Sequence, residues 1–387
     1  MISDSRPFTY IQSNDVLQQV CEGLKHTDII AVDTEFTREK TFFPILSTIQ
    51  IATPVEVAVI DALSPSIDLS LLKEAFFSSS IKKVFHAGRQ DLEIFYHLWG
   101  EVPAPIADTQ ILAMIQGFGD SVGYQSLVKS LLGKNLSKTC RTSNWMIRPL
   151  EEAQIMYAAG DVVYLLEIYK KLLKQGKERL PWIAEELSLL LDPNTYAVLP
   201  EEAWKKINIP LPVTPHAFGK IQALAHWRER EAVRLNKPRT HILSDLGIIE
   251  ISNASNSRQK IAQWIGKKEC KEYAIEELAA QLETALPPAT IPASLTSLPP
   301  STSFNEVLML DVLKVYHKMV SQKYNVAPRL IGTVDDLRDL IQTRDPSLKV
   351  LQGWRHEIFG KEALAFLKGE RAFKVLNGIL ESAPVES

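Results

Sequence analysis

The sequence predicts an α/β domain, a sheet flanked by helices, followed by two all-helical modules. Three observations carry this reading. Strand-like and helix-like stretches alternate up to about residue 208. The remainder is helical in pattern, and two proline-rich breaks divide the chain. The strand-like runs, apolar and rich in β-branched residues, are 29–33, 47–53, 56–61 and 82–86. Helical patterns cover 68–77, 89–99, 109–117, 124–132 and a long stretch from 151 to about 175. The chain's 387 residues exceed what one core usually organises, so two or three domains are expected.

The breaks set the domain bounds. Residues 209–215 (IPLPVTP) carry three prolines, and 286–303 carry five prolines with no charge, a semi-rigid linker. The expected domains are therefore 1–208, 209–285 and 304–387, joined by the linker 286–303. The second and third share identities at an offset of 90: Pro238 with Pro328, Arg239 with Arg329, Asp245 with Asp335 and Trp264 with Trp354. That pattern points to a duplicated helical module.

Composition narrows the function classes. Apolar residues make up 45% and charged residues 23%, near globular averages, which excludes disordered and fibrous chains. No run of 18 apolar residues exists, so no membrane span is expected. The first 30 residues lack the basic and apolar regions of a secretory signal. Cys21, Cys140 and Cys270 are widely spaced, which argues against a disulfide framework or thiolate zinc site and for a reducing compartment, the cytoplasm. Residues 1–211 hold 20 Lys and Arg against 26 Asp and Glu; residues 212–285 hold 11 against 9, and 303–387 hold 12 against 11. An acidic first part followed by mildly basic modules fits a carboxylate-rich catalytic domain with auxiliary polyanion contacts. No G-x-x-x-x-G-K-[ST] occurs, so no nucleotide cofactor or helicase motor is expected.

Asp33 and Glu35 follow an apolar strand at i and i+2, on one face. Neighbouring carboxylates repel, and one takes a proton unless a cation lies between them. Oxygen ligands suit Mg²⁺ or Mn²⁺. Asp91 falls in the first turn of a helix after the 82–86 strand, and Tyr157 and Asp161 share a helix face four residues apart. Gly160 and Asp161, both poor helix formers, sit mid-helix, a local rule broken where function needs it.

The segments VDTEF (32–36), HAGRQDLEIF (86–95) and YAAGDVVYLL (157–166) resemble the three motifs of the DEDD exonuclease superfamily, in its tyrosine subtype. TFFPILSTIQIA (41–52), ADTQILA (107–113) and SKTCRTSNWMIRPL (137–150) are similar to ribonuclease D in particular, and the helical modules resemble HRDC domains. The resemblance spans nearly the whole chain. It implies a ribonuclease H-like fold with a mixed five-stranded sheet, and two divalent ions, Mg²⁺ or Mn²⁺. Asp33, Glu35, Asp91 and Asp161 match the metal-binding carboxylates, and Tyr157 matches the residue that positions and helps deprotonate the attacking water, with orientation alone as the alternative. We expect Asp33 to bridge both ions, Glu35 and Asp161 to complete one shell, and Asp91 to hold the other. The implied activity is 3′→5′ exoribonuclease trimming of tRNA precursors at their 3′ ends, releasing 5′ mononucleotides. A repair-type DNA 3′→5′ exonuclease and a non-catalytic RNA-binding protein are the competing readings; the second predicts loss of a carboxylate, and all four are present.

Candidate substrate contacts follow from charge and aromaticity. Phe42 or Phe43 is a candidate base platform and His86 at a strand end a candidate phosphate contact, core packing being the alternative for each. Lys138, Arg141 and Trp145, with Lys134 and Arg148, form a backbone-gripping loop before the Tyr157 helix. Ser137, Cys140 and Asn144 stand where related proteins often carry acids. In the helical modules Arg228 and Arg239, with Arg230, Arg234 and Lys237, are candidates to track phosphates, while Trp227, Trp264 and Trp354 read as core.

Overall fold

The computed structural model describes residues 6–136, 140, 142–254, 257–265, 272–284, 291–292, 295 and 303–385. Two compact units emerge. One joins residues 1–35 and 46–195 to the chain's last part, Ser303–Ser387; the other joins Phe36–Ile45 to Tyr196–Thr302. The units thus do not follow chain order, unlike the bounds expected from the proline breaks. The linker 286–303 lies almost wholly outside the described residues.

The sheet of the first unit is built on β1 (Phe8–Ile11), β2 (Ile29–Thr37), β3 (Ile45–Ala52), β4 (Val57–Asp61), β5 (Lys82–Phe85) and β6 (Ile106–Asp108). Its order is β1-β4-β3-β2-β5-β6. β1 runs parallel to β4, β2 to β5 and β5 to β6, while β3 pairs antiparallel with β4. The sheet is mixed, but it has six strands rather than the expected five. The same unit holds helices α1 (Asn14–Leu24), α2 (Lys73–Phe77), α3 (Arg89–Trp99), α4 (Thr109–Ile115), α5 (Tyr124–Leu132), α6 (Glu152–Val163), α7 (Leu165–Gln175) and α8 (Leu180–Leu191). The single helix expected over 151–175 breaks at Tyr164, whose backbone N–H donates to the Tyr124 hydroxyl at 3.0 Å.

The second unit contains α9 (Pro215–Leu235), α10 (Arg239–Ile242), α11 (Asp245–Asn253), α12 (Ser257–Ile265) and α13 (Glu272–Thr284). Phe218, Ile221, Leu224, Ile248, Ile251 and Leu278 fill its core. The chain's last part repeats the plan with α14 (Phe304–Tyr324), α15 (Pro328–Ile331) and α16 (Val334–Gln342). The leading helices both have 21 residues and both stop at a left-handed asparagine, Asn236 and Asn325. Helix bounds repeat at an offset of 89, one less than the identities suggest: Pro238 precedes α10, whereas Pro328 opens α15. The last part then departs from an all-helical module. After α17 (Gly353–Arg355) and α18 (Lys361–Leu367) it ends in a hairpin, β7 (Arg371–Leu376) and β8 (Ile379–Pro384). Asn377 and Gly378 both take positive φ, as a tight hairpin turn demands.

This last module shares the core of the six-stranded sheet's unit. Trp354 stacks on Trp182 with ring centroids 4.6 Å apart, and its indole N–H donates to Glu186 at 3.1 Å. Arg355 pairs with Glu186 at 2.5 Å. The Ala327 N–H donates to the Met114 carbonyl at 2.7 Å. Among the described residues no helix is long and apolar enough to cross a membrane.

Candidate active site

β2 carries Asp33 and Glu35 on one face, as the two-residue period of a strand requires. The strand continues to Thr37, so both acids lie within it rather than at its end. α6 brings Asp161 to them: single carboxylate oxygens of Asp33, Glu35 and Asp161 all lie within 4.8 Å of one another. Tyr157, one turn earlier on α6, donates its hydroxyl to Asp161. Asp91 arrives from the first turn of α3, only 6% exposed, and accepts the Thr34 hydroxyl proton on Oδ1.

The head of α3 is tightly fixed. Buried Asp108 accepts four backbone N–H groups, from Ala87 at 3.1 Å, Gly88 at 2.8 Å, Gln110 at 2.8 Å and Ile111 at 3.3 Å. Ala87 is left-handed, φ 58°, and a Cβ on Gly88 would come within 2.5 Å of Phe85. The bonds to Asp108 offset the strain of a non-glycine residue in that region.

Behind Tyr157 lies a second braced element. The Trp145 ring sits 6.2 Å from that of Tyr157, and the Trp145 carbonyl accepts from Ser47 Oγ at 2.6 Å and Arg148 at 2.8 Å. Arg148 in turn chelates buried Asp61 with Nε at 2.9 Å from both oxygens. Burial alone would raise the Asp61 carboxyl, but hydrogen bonds from Arg148 and Tyr10 hold it below the usual range.

The candidate acids Asp33, Glu35, Asp91 and Asp161 are displaced the other way. Asp33 stands well above the carboxylate range, chiefly through burial and then through the charges of Asp91, Asp161 and Glu35. Burial, followed by Asp161 and Asp91, pushes Glu35 up to about 8. Burial takes Asp161 to about 7 against the hydrogen bond from Tyr157, and Asp91 to about 6 against that from Thr34. In an unfolded chain such acids titrate near pH 4, so between about pH 4 and pH 8 the folded metal-free protein binds more protons than the unfolded one. Its stability therefore falls as pH rises through that window. Thermal melts of metal-free protein should show Tm decreasing from pH 5 to pH 8, and Mg²⁺ should remove much of the decrease; a Tm independent of pH and Mg²⁺ would contradict the raised values.

Several expected substrate contacts lie elsewhere in the structure. His86 is half-buried with both ring nitrogens engaged, by Thr109 Oγ1 at 2.9 Å and the Val122 carbonyl at 3.0 Å, and burial lowers its pKa. It is a neutral, satisfied core histidine rather than a phosphate contact. Trp145 is 3% exposed and packs inside, so it is not a stacking surface. Phe42 belongs to the core of the second unit, and Phe43 packs edge-on against it at 4.9 Å, both backbone N–H groups donating to Asn236. Arg228 is 2% exposed and bonded to Asp245 at 2.6 Å; Arg239 neutralises fully buried Glu229 at 2.5 Å. These two guanidiniums serve internal carboxylates, which corrects their reading as phosphate trackers. Arg148 likewise serves Asp61. Lys138 and Arg141 lie outside the described residues. Thr34, Asp108 and Asp61 escaped the sequence reading, because each acts on a partner far away in the chain.

A family model described as 3′-5′ exonuclease matches residues 8–177. A ribonuclease D from Gluconacetobacter diazotrophicus is 38% identical over 371 residues, covering 93% of this chain and 92% of the relative. One from Acidiphilium cryptum is 39% identical, covering 93% of each. Among solved structures, Escherichia coli RNase D, an exoribonuclease involved in structured RNA processing, superposes with a TM-score of 0.77 and 28% identity over 93% of this chain and 98% of that one. With Asp33 and Glu35 on β2 meeting Asp161 from α6, and this likeness running nearly end to end, the chain belongs to the ribonuclease D family and is a 3′→5′ exoribonuclease.

Proposed function

We propose that the chain trims tRNA precursors from their 3′ ends with two divalent cations, Mg²⁺ or Mn²⁺, held by Asp33, Glu35, Asp91 and Asp161. The observation that carries the reading is the oxygen cluster of Asp33, Glu35 and Asp161, half-buried and charge-frustrated without a cation. An all-oxygen donor set of this kind fits hard divalent ions. Asp33 would help to hold both ions, Glu35 and Asp161 would help to hold one of them and Asp91 the other. Two bound cations would lower the pKa of the attacking water and offset charge on the leaving 3′ oxygen.

The remaining work falls to the chain itself. The Tyr157 hydroxyl, anchored to Asp161, orients the water for attack in line with the departing oxygen. Trp145, braced by Ser47 and Arg148, backs the Tyr157 ring and limits its swing. Each cycle releases a 5′ mononucleotide and leaves a new 3′ hydroxyl. We assign the two related helical modules as HRDC-type auxiliary RNA-binding modules of modest, salt-sensitive affinity, and the protein to the cytoplasm. The repeated 21-residue helices and their asparagine stops support the duplication.

A time course on 5′-labelled tRNA carrying extra 3′ nucleotides tests this reading. The expected pattern is a ladder shortening one nucleotide at a time in Mg²⁺ or Mn²⁺, stopped by chelator and slower on a matched DNA overhang. Undiminished digestion in chelator, or faster digestion of DNA, would contradict it.

A further inference from the structure

Buried carboxylates need donors, and the donors they find decide which way they point. Asp91 lies 57 positions from Thr34 in the chain, and among its partners is that side chain of β2, the Thr34 hydroxyl, which donates to Oδ1. Backbone N–H groups, that of Thr34 among them, also bond the Asp91 carboxylate, and the same Thr34 N–H supports Asp33. Thr34 thus touches acids from two elements. Strand alternation turns its side chain away from the face that carries Asp33 and Glu35, so it stands outside their oxygen cluster. Its β-branched side chain has few rotamers, and it is 6% exposed, so the hydroxyl is held firmly in place. Asp91 is not a member of the tight Asp33–Glu35–Asp161 group, so its usefulness to a second cation depends on how its carboxylate is turned.

We infer that Thr34 is a positioning residue for Asp91: by engaging Oδ1 it presents the other carboxylate oxygen to the second cation. The inference rests on the two-cation reading above. Packing does not explain the choice of residue, since valine would fill the same space without the hydroxyl.

The test compares wild type with Thr34→Val, Thr34→Ser and Asp91→Asn, each prepared metal-free and titrated with Mn²⁺ by electron paramagnetic resonance. Wild type should show two sites. Thr34→Val should weaken one of them about 10- to 100-fold, the usual effect of losing an outer-shell partner, and leave the other unchanged. Asp91→Asn should affect the same site, and Thr34→Ser should restore it. Thermal melts identify a misfolded variant, and Thr34→Ser then carries the comparison through its retained hydroxyl. Two wild-type affinities in a folded Thr34→Val protein, or no rescue by serine, would overturn the inference. If wild type binds no Mn²⁺, the two-cation reading itself fails.

Discussion

Asp33→Asn should reduce single-turnover RNA hydrolysis by about a hundred- to a thousandfold, the scale on which losing one preorganised electrostatic stabiliser acts. The substitution keeps the shape and removes the charge shared with Glu35, Asp91 and Asp161. RNA binding should persist. The metal-free variant should also melt higher than wild type at pH 8, because a strongly repelled, half-buried acid has been neutralised. The two readouts move in opposite directions, which separates loss of chemistry from loss of fold. Wild-type hydrolysis by a folded Asp33→Asn protein would remove Asp33 from the catalytic set.

The second large effect concerns stability. Arg355, 2% exposed, donates to the Leu330 carbonyl at 2.6 Å and pairs with Glu186, itself 5% exposed. Arg355→Met would leave the Glu186 carboxylate buried without its guanidinium, the Trp354 indole still donating to it. Stranding one member of a buried pair costs about 3–5 kcal/mol. Urea denaturation should show that loss, and Arg355→Met combined with Glu186→Gln should recover part of it. A single variant within about 0.5 kcal/mol of wild type, the range of an ordinary surface change, would mean the pair does not fasten the last helical module to α8.

Much of the site was legible because its signals are local. Asp33 and Glu35 follow an apolar strand at the period of a strand, and Tyr157 and Asp161 follow the period of a helix. Each pair needs only its own element to share a face. The sheet was less legible. β1 is four residues with a threonine and a tyrosine, and β6 is three, too short for alternation to register. The Asn377–Gly378 turn did carry a hairpin signal between apolar residues, but it was masked by the helical reading of the whole module.

The substrate contacts fared worst, for a physical reason. A cation in one dimension looks solvated, yet Arg148 meets Asp61 across 87 positions, and Arg239 meets Glu229 from beyond the end of α9. Nothing in local spacing marks those acids as buried, and a buried acid claims the nearest guanidinium before any phosphate does. Thr34 is hidden in the same way: it stands inside the motif, but its partner comes from another helix.

The central claim is that the acids of β2, α3 and α6 jointly hold divalent cations. Calorimetric titration of metal-free wild type with Mn²⁺ at pH 7.5, in two buffers of different ionisation enthalpy, tests it most directly. Two ions per chain should bind with net proton release, since Glu35 and Asp33 must give up protons to bind them. Absence of binding, or binding that survives Asp33→Asn unchanged and releases no protons, would contradict it.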